Sequence, residues 1–452
     1  MRGAQEYEQN SGESRSKHEV RFCEWRVLNL KRAIGQEGNH VELLNTDTLE
    51  EAGRKLREES LELCLETEYA DLMSALGRIC ARDTAAGENV PPFSRSVVDG
   101  FAVRAKDTYG AGESVPSFFS IVGNVGIEEQ AAVTAGPGEA VRLQTGSMIP
   151  DGATAVLMSE YAEEFAPGKM AGYRALSEGE NVIRAGEDME SGEIVLKRGR
   201  VITPSDIGAL AALGIGRVQV WKPAAVTVIS TGDELAGPGE ELTGGKIRDV
   251  NTYVLAAEAR RLGMEVRRTL RCPDDGMEIY RAVAGALPDS DLILISGGSS
   301  KGKKDYTKQV FEEISHNVFT HGITVKPGKP TILGYDRESR TILAGLPGHP
   351  MAAALMFRLL IGEWYRERTG AEKRLPCPAV LAENVSGGQG RATCLLVELK
   401  ELEDQENRYE AVPVRAKSGS IYALSRADGY VMIPRDREGL RKGEQVWVEV
   451  LE

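Results

Sequence analysis

Residues 291–314 read DLILISGGSSKGKKDYTKQVFEEI, and the fold turns on how that stretch is parsed. Asp291 to Ile295 form a short apolar run of the kind that makes a buried strand, and YTKQVFEEI spaces its apolar residues as a helix does. Between them lie a Gly-Gly turn, serines, lysines and Asp305. The loop can be a phosphate cradle, a basic nucleic-acid patch or a solvated connection.

The flanking sequence repeats the pattern through residues 223–372. AAVTVIST reads as a strand and TYVLAAEARRLG as a helix with Leu255, Ala259 and Leu262 on one face. MEVRRTLR and GMEIYRAVAGAL follow in the same order, then PTILG and TILAG as strands and PMAAALMFRLLIGEWYRERTG as a long helix. Strands alternating with helices predict a doubly wound, parallel αβ sheet covered on both faces, with ligands at the carboxyl ends of its strands.

Elsewhere the texture differs. Thr48 and Glu51 form a capping box ahead of a helix carrying Leu49, Ala52 and Leu56. A second helix is expected around 68–82, with Leu72, Leu76 and Ile79 on one face. Residues 85–180 carry short apolar runs (SFFSIV, AVRLQ, TAVLM) between Gly-Pro turns, which predicts a small β domain. Residues 181–222 hold a hairpin-like SGEIVLKRG and a short helix, PSDIGALAAL. From 373 to 452 the reading returns to β.

Composition narrows the function classes. The 55 basic and 68 acidic residues give a net charge of −13, which repels nucleic-acid backbones and argues against a nucleic-acid partner. Six scattered cysteines without CxxC, and five histidines without HxxH, argue against zinc and for reduced thiols. The polar start of the chain and the lack of long apolar windows predict a cytoplasmic protein with no membrane partner.

If the sheet is right, four loops meet at one edge: STGDEL (230–235), the loop after Ile295, VKPGKP (325–330) and GLPGHP (345–350). Lys326 and Lys329 suit an oxyanion, and Asp233, Glu234, Asp249, Asp274, Asp275 and Asp305 gather near them. Cations and hard-oxygen ligands together suit a phosphate-bearing ligand with Mg²⁺. Taken singly, each loop is a common turn and each carboxylate a common cap. Neither GxxxxGK[ST] nor GxGxxG occurs, which excludes the P-loop and dinucleotide fingerprints.

The set of loops resembles one family. PPFSRSVVDGFAVRAKD (91–107), LQTGSMIPDGATAVLMSE (143–160), VIRAGEDMESGE (182–193), STGDEL, DVNTYVLAA, SGGSSKGKKDYTK, VKPGKP and GLPGHP are similar to the molybdopterin molybdenumtransferases, the MoeA family, which includes the gephyrin E domain. The likeness covers about 46–452 and leaves 1–45 as an N-terminal extension. It implies a linker region from 46–84 and 181–222, an inserted β domain at 85–180, a MogA-like αβ domain that binds molybdopterin at 223–372 and a C-terminal β domain at 373–452. It also implies a homodimer, with each active site between the αβ domain of one subunit and the inserted domain of the other. The implied reaction inserts molybdate into adenylylated molybdopterin, with Mg²⁺-dependent hydrolysis releasing AMP. An upstream adenylyltransferase and recipient molybdoenzymes are the implied partners.

Carried over by motif, Asp99, Asp188, Glu234, Asp274 and Asp305 would be catalytic, with Asp274 and Asp305 holding the metal. Thr145, Gly297, Gly298, Ser300, Lys326, Lys329, Pro347, Pro350 and Ser420 would bind substrate. The chain departs from the family at Lys301, Lys303 (a common Glu), His349 (a common Asn), Ala352 (a frequent Ser) and Leu396 (a commonly basic position). A tungstate-inserting homologue, a scaffold on the same fold and a MogA-type adenylyltransferase are the rival readings. The last of these would lack the inserted and C-terminal domains.

Overall fold

The computed structural model describes residues 46–297, 306–373, 375–403 and 408–451. It divides into two compact units, residues 69–220 and the described residues outside that span.

The larger unit is built on a six-stranded sheet ordered Glu265–Cys272, Ala225–Thr231, Leu292–Ser296, Thr341–Leu346, Ile332–Asp336 and Val318–His321. The first four run parallel, in the register Val226 to Leu292 and Leu292 to Ile342. Ala225–Thr231, Leu292–Ser296 and Thr341–Leu346 are buried at every position, because helices cover both faces. Ile229, Ile293, Ile295 and Leu343 pack with Ile279, Val283, Val310 and Phe311 of helices Gly276–Ala286 and Tyr306–Ser315.

Two features depart from a wholly parallel sheet. Ile332–Asp336 pairs antiparallel with Thr341–Leu346, so PTILG and TILAG form a hairpin. The turn between them, around Asp336 to Arg340, is too short for the crossover that parallel strands need. Val318–His321 adds an antiparallel edge strand that the short, mixed sequence NVFTH did not announce. The long helix runs from Pro350 to Thr369, with a π-helical stretch at Phe357–Gly362. Leu49–Glu59 is a helix capped as read: Glu51 N donates to Thr48 Oγ1 and Thr48 N to the Glu51 carboxylate.

The C-terminal strands close on themselves in the order Ala392–Glu401, Tyr409–Pro413, Cys377–Leu381, Gln445–Val450 and Gly429–Ile433, back to Ala392–Glu401. This small barrel has a core of Leu381, Val397, Ala411, Val431, Ile433 and Val448. Val325–Lys326 joins it as a parallel sixth strand against Ala392 and Thr393, so the VKPGKP loop is stitched to the barrel edge. An arginine held by a buried ion pair within the sheet domain ties that domain to the barrel. Arg358, on the π stretch, donates to the Glu258 carboxylate (2.8 and 2.5 Å) and to Leu451 O (2.7 Å).

In the smaller unit, residues 100–172 contain a six-stranded sheet ordered Ala155–Met158, Gly100–Val103, Glu139–Leu143, Ser117–Val125, Lys169–Gly172 and Ala162–Ala166. Its strands include the three apolar runs read from sequence. The helix expected around 68–82 is not there. A strand Thr67–Asp71 gives way to one helical turn, Leu72–Ala75, and Gly77 follows with φ +75°. The i, i+4, i+7 spacing of Leu72, Leu76 and Ile79 is coincidental, since Leu76 is exposed and Cys80 takes the core position. Nor is SGEIVLKRG a hairpin: Ile194–Leu196 pairs with the distant Thr84–Ala85. The Pro204–Ala212 helix forms as read, capped by Thr203.

Candidate active site

The parallel strands deliver their carboxyl ends to one edge. Gly297 follows Ser296 with φ +107°, and a Cβ there would fall 2.4 Å from Thr231 O, so only glycine lets these two strand ends close. The third loop arrives beside them: a Cβ on Gly348 would lie 3.7 Å from the Gly297 Cα. Asn251 locks the arrangement, its Nδ2 donating to Ser296 Oγ (2.5 Å) and to Gly348 O (2.8 Å). STGDEL, the segment after Ile295 and GLPGHP therefore converge as the strand order predicts. Gly298, Ser300 and Asp305 lie outside the described residues.

Above this edge, between the sheet domain and the barrel, opens a cleft of ≈ 1700 Å³. Glu234, Asp274, Gly297, Lys326, Lys329 and Pro347 all line it. Pro350 and Ser420 are not among the lining residues. Pro350 occupies the first turn of its helix, and Ser420 N donates to Lys417 O (2.8 Å), closing a turn whose Ser418 and Gly419 do line the cleft.

Five of the six carboxylates gathered by sequence lie among the described residues, and they divide by task. Asp249 caps the helix Asn251–Arg261, accepting from Thr252 N and Oγ1 at 3.1 and 2.6 Å. Asp275 caps Gly276–Ala286, accepting from Met277 N and Glu278 N at 2.9 and 3.1 Å. Asp233 accepts from Asp274 N at 3.3 Å. Glu234 and Asp274 face the cleft. The Asp274 carboxyl is partly desolvated, and Asp233, Glu234 and Asp275 surround it with like charge, so its pKa is held above the usual carboxylate range. A divalent cation would relieve that repulsion. Among the described residues no three His, Cys, Asp or Glu side chains stand close enough to hold a metal by themselves. Oxygen donors that need a ligand's phosphates to complete the shell suit Mg²⁺, which is usually held by one or two carboxylates together with phosphate.

The opposite character comes from the VKPGKP loop. Gly328 has φ +140°, and a Cβ there would sit 2.4 Å from the Met356 Sδ, so the loop lies flat on the long helix. Among the described residues no carboxylate pairs with Lys326 or Lys329. An unpaired pair of ammoniums lining a cleft invites an oxyanion. Leu396 is almost fully buried and lines the cleft, contributing apolar wall.

In the smaller unit, Asp99 and Thr145 meet. Thr145 donates to the Asp99 Oδ1 through both its N (2.7 Å) and its Oγ1 (3.0 Å), which holds the carboxyl below its ordinary pKa. Gly100 beside it is required, because a Cβ would fall 2.0 Å from Leu157 O of the paired strand. Asp188 sits exposed in a turn, its N donating to Val90 O (3.0 Å). The turn is braced by Glu187, which accepts from Arg184 N at 2.7 Å, so the Asp188 carboxylate is left uncommitted among the described residues.

Sequence reasoning passed over the cleft residues Arg391, Lys417 and Ser418. Their segments carry no strand-to-helix signature, and only barrel closure turns them toward the αβ loops. Asn251 was legible within DVNTYVLAA, but its bridge to Gly348 depends on packing across 97 residues.

Three family models together match most of the chain. The MoeA N-terminal region (domain I and II) matches residues 47–214, "Probable molybdopterin binding domain" matches 227–366, and the MoeA C-terminal region (domain IV) matches 378–451. The molybdopterin molybdenumtransferase of Haemophilus influenzae is 32% identical over 410 residues, covering 89% of this chain and 98% of that one. Its namesake in Bacillus subtilis is 32% identical over 393 residues, covering 85% and 89%. A crystal structure of the molybdopterin biosynthesis MoeA protein of Pyrococcus horikoshii superposes with a TM-score of 0.75 at 33% identity, covering 90% of this chain and all of that one. The fold, the cleft and these likenesses agree: the chain belongs to the MoeA family of molybdopterin molybdenumtransferases.

Proposed function

We propose that the protein inserts molybdate into adenylylated molybdopterin, with Mg²⁺-dependent hydrolysis that releases AMP, and that the cleft over the parallel strand ends is where this occurs. Enzymes of its family serve molybdenum cofactor biosynthesis. The observation that carries the finer reading is one cleft with two characters. Glu234 and the repelled carboxyl of Asp274 form one, and Lys326 and Lys329, without an ion-pair partner among the described residues, the other.

Each part has a task. Hydrolysis forms a bond from water oxygen to phosphorus, breaks the phosphoanhydride P–O bond and frees AMP. Carboxylates that line the cleft orient that water and take its proton. Asp274, together with Asp305, would hold Mg²⁺, which when bound neutralises charge on the phosphate oxygens. Compact ammonium charges at Lys326 and Lys329 suit a tetrahedral oxyanion, and Pro347 and the Gly297 backbone shape the floor beneath it. Asp99 and Asp188 would join the catalytic set, and Thr145, which donates to Asp99, would bind substrate. The protein works as a cytoplasmic homodimer, taking its substrate from an adenylyltransferase and passing the product to molybdoenzymes.

Lys326→Ala tests the assignment. It should weaken molybdate binding about tenfold, the loss expected for one charged hydrogen bond, and leave nucleotide binding nearly unchanged. Equal losses for both ligands in a titration would contradict an oxyanion role.

A further inference from the structure

His349 ends the GLPGHP loop on the sheet-domain side of the cleft, and Ser418 lies on the barrel side, with His349 Nδ1 and Ser418 Oγ 2.7 Å apart. Nε2 is left as the ring's unpartnered polar atom among the described residues. The backbone leading to the ring is fixed. Asn251 Nδ2 donates to Gly348 O at 2.8 Å, and Ser296 Oγ donates to Pro347 O at 3.3 Å. Lys326, Lys329, Arg391 and Lys417, none in an ion pair among the described residues, share the cleft with Glu234 and Asp274. That surplus of cations selects an anionic occupant.

A neutral imidazole has one donor and one acceptor nitrogen, and the partner of one fixes the other. When the Ser418 hydroxyl donates to Nδ1, the proton sits on Nε2. We propose that His349, oriented and set in this tautomer by Ser418, donates a hydrogen bond from Nε2 to the oxyanion held by Lys326 and Lys329. The inference rests on the oxyanion reading of the cleft and adds direction to it. An ammonium on a flexible stem is a point charge, whereas a pinned ring N–H asks for an oxygen at one place.

The test uses the full-length chain, calorimetric titration with molybdate, and ¹⁵N spectra of histidine-labelled protein. Lys326→Ala and His349→Ala should each weaken molybdate about tenfold or more, the loss of a hydrogen bond to a charged group. His349→Asn, which keeps an N–H donor, should recover part of that loss, and Ser418→Ala should fall between. The His349 resonances, assigned by their disappearance in His349→Asn, should report an Nε2-protonated ring that shifts when molybdate is added. Ser418→Ala should show mixed tautomers. If Lys326→Ala loses affinity while His349→Ala binds like the wild type, the inference fails and the oxyanion reading stands. It fails equally if His349→Ala weakens binding but Nε2 does not respond to molybdate. If the wild type binds no molybdate, or Lys326→Ala binds it unchanged, the oxyanion reading itself is overturned and the inference with it.

Discussion

Asp99 and Asp274 are the same side chain in opposite conditions. Asp99, in the smaller unit, accepts two hydrogen bonds from Thr145, and its carboxyl is held below the ordinary range. Asp274, in the larger unit, is partly desolvated and faces three like charges, and its carboxyl is pushed up. One carboxylate is satisfied by the protein, and the other is left for something that is not protein. A fold that satisfies one carboxylate and leaves another electrostatically frustrated makes the second the one at which we propose that a cation and a ligand enter.

The strongest way to break this contrast is Asp274→Asn. Steady-state AMP release should fall by about a hundredfold or more, the usual scale for losing a preorganised charge at a reacting phosphate. Urea unfolding at pH 7 should show no loss of stability, because a folded-state pKa raised by like charges costs stability once the group is ionised. Undiminished turnover, or marked destabilisation, would move Asp274 to the class of satisfied carboxylates. Arg358→Ala gives the converse result. Glu258 is a satisfied carboxylate, so removing Arg358 should cost about 2 kcal/mol in urea unfolding, Arg261 still holding the other oxygen. Cation binding should be untouched, and a shift in magnesium affinity would contradict the division.

Thr145→Val sharpens the contrast with the smallest effect. Losing the hydroxyl should raise the Asp99 carboxyl part of the way back to its ordinary value, since the backbone N–H of residue 145 still donates to it, followed by a carboxyl ¹³C titration. A carboxylate with a depressed folded pKa stabilises above its unfolded pKa and loses that contribution as pH falls through the folded one. Wild type and variant should therefore differ in stability near neutral pH and converge in acid below the ordinary carboxylate range. A titration unchanged by the substitution would show that the Thr145 hydroxyl adds nothing and that the backbone N–H alone holds Asp99 ionised.

Reading the sequence recovered what local pattern controls. Alternating apolar runs announced the buried strands, Thr48 with Glu51 announced a helix start, and the loop order announced the convergence at the strand ends. It failed where pairing between distant segments overrides spacing. Leu72, Leu76 and Ile79 spell a helix, but Ile79 and Cys80 bridge to Val201 and Val220, so the backbone is extended. Ile332–Asp336 looks like its parallel neighbours, and only the shortness of the turn after it reverses the strand. The site was half legible for the same reason. Lys326, Lys329, Glu234 and Asp274 sit in marked loops, while Ser418 reaches the cleft only because a barrel closes several strands away.

The central claim is that the cleft is a cation-dependent hydrolytic site that seats an oxyanion. The most direct measurement incubates the full-length protein with adenylylated molybdopterin and molybdate, or tungstate in parallel, with and without Mg²⁺, and follows AMP and the metal bound to the dithiolene. The account predicts AMP release only with Mg²⁺, stoichiometric with molybdenum inserted into the product. AMP released equally without a divalent cation, or intact adenylylated substrate bound and never hydrolysed, would contradict it.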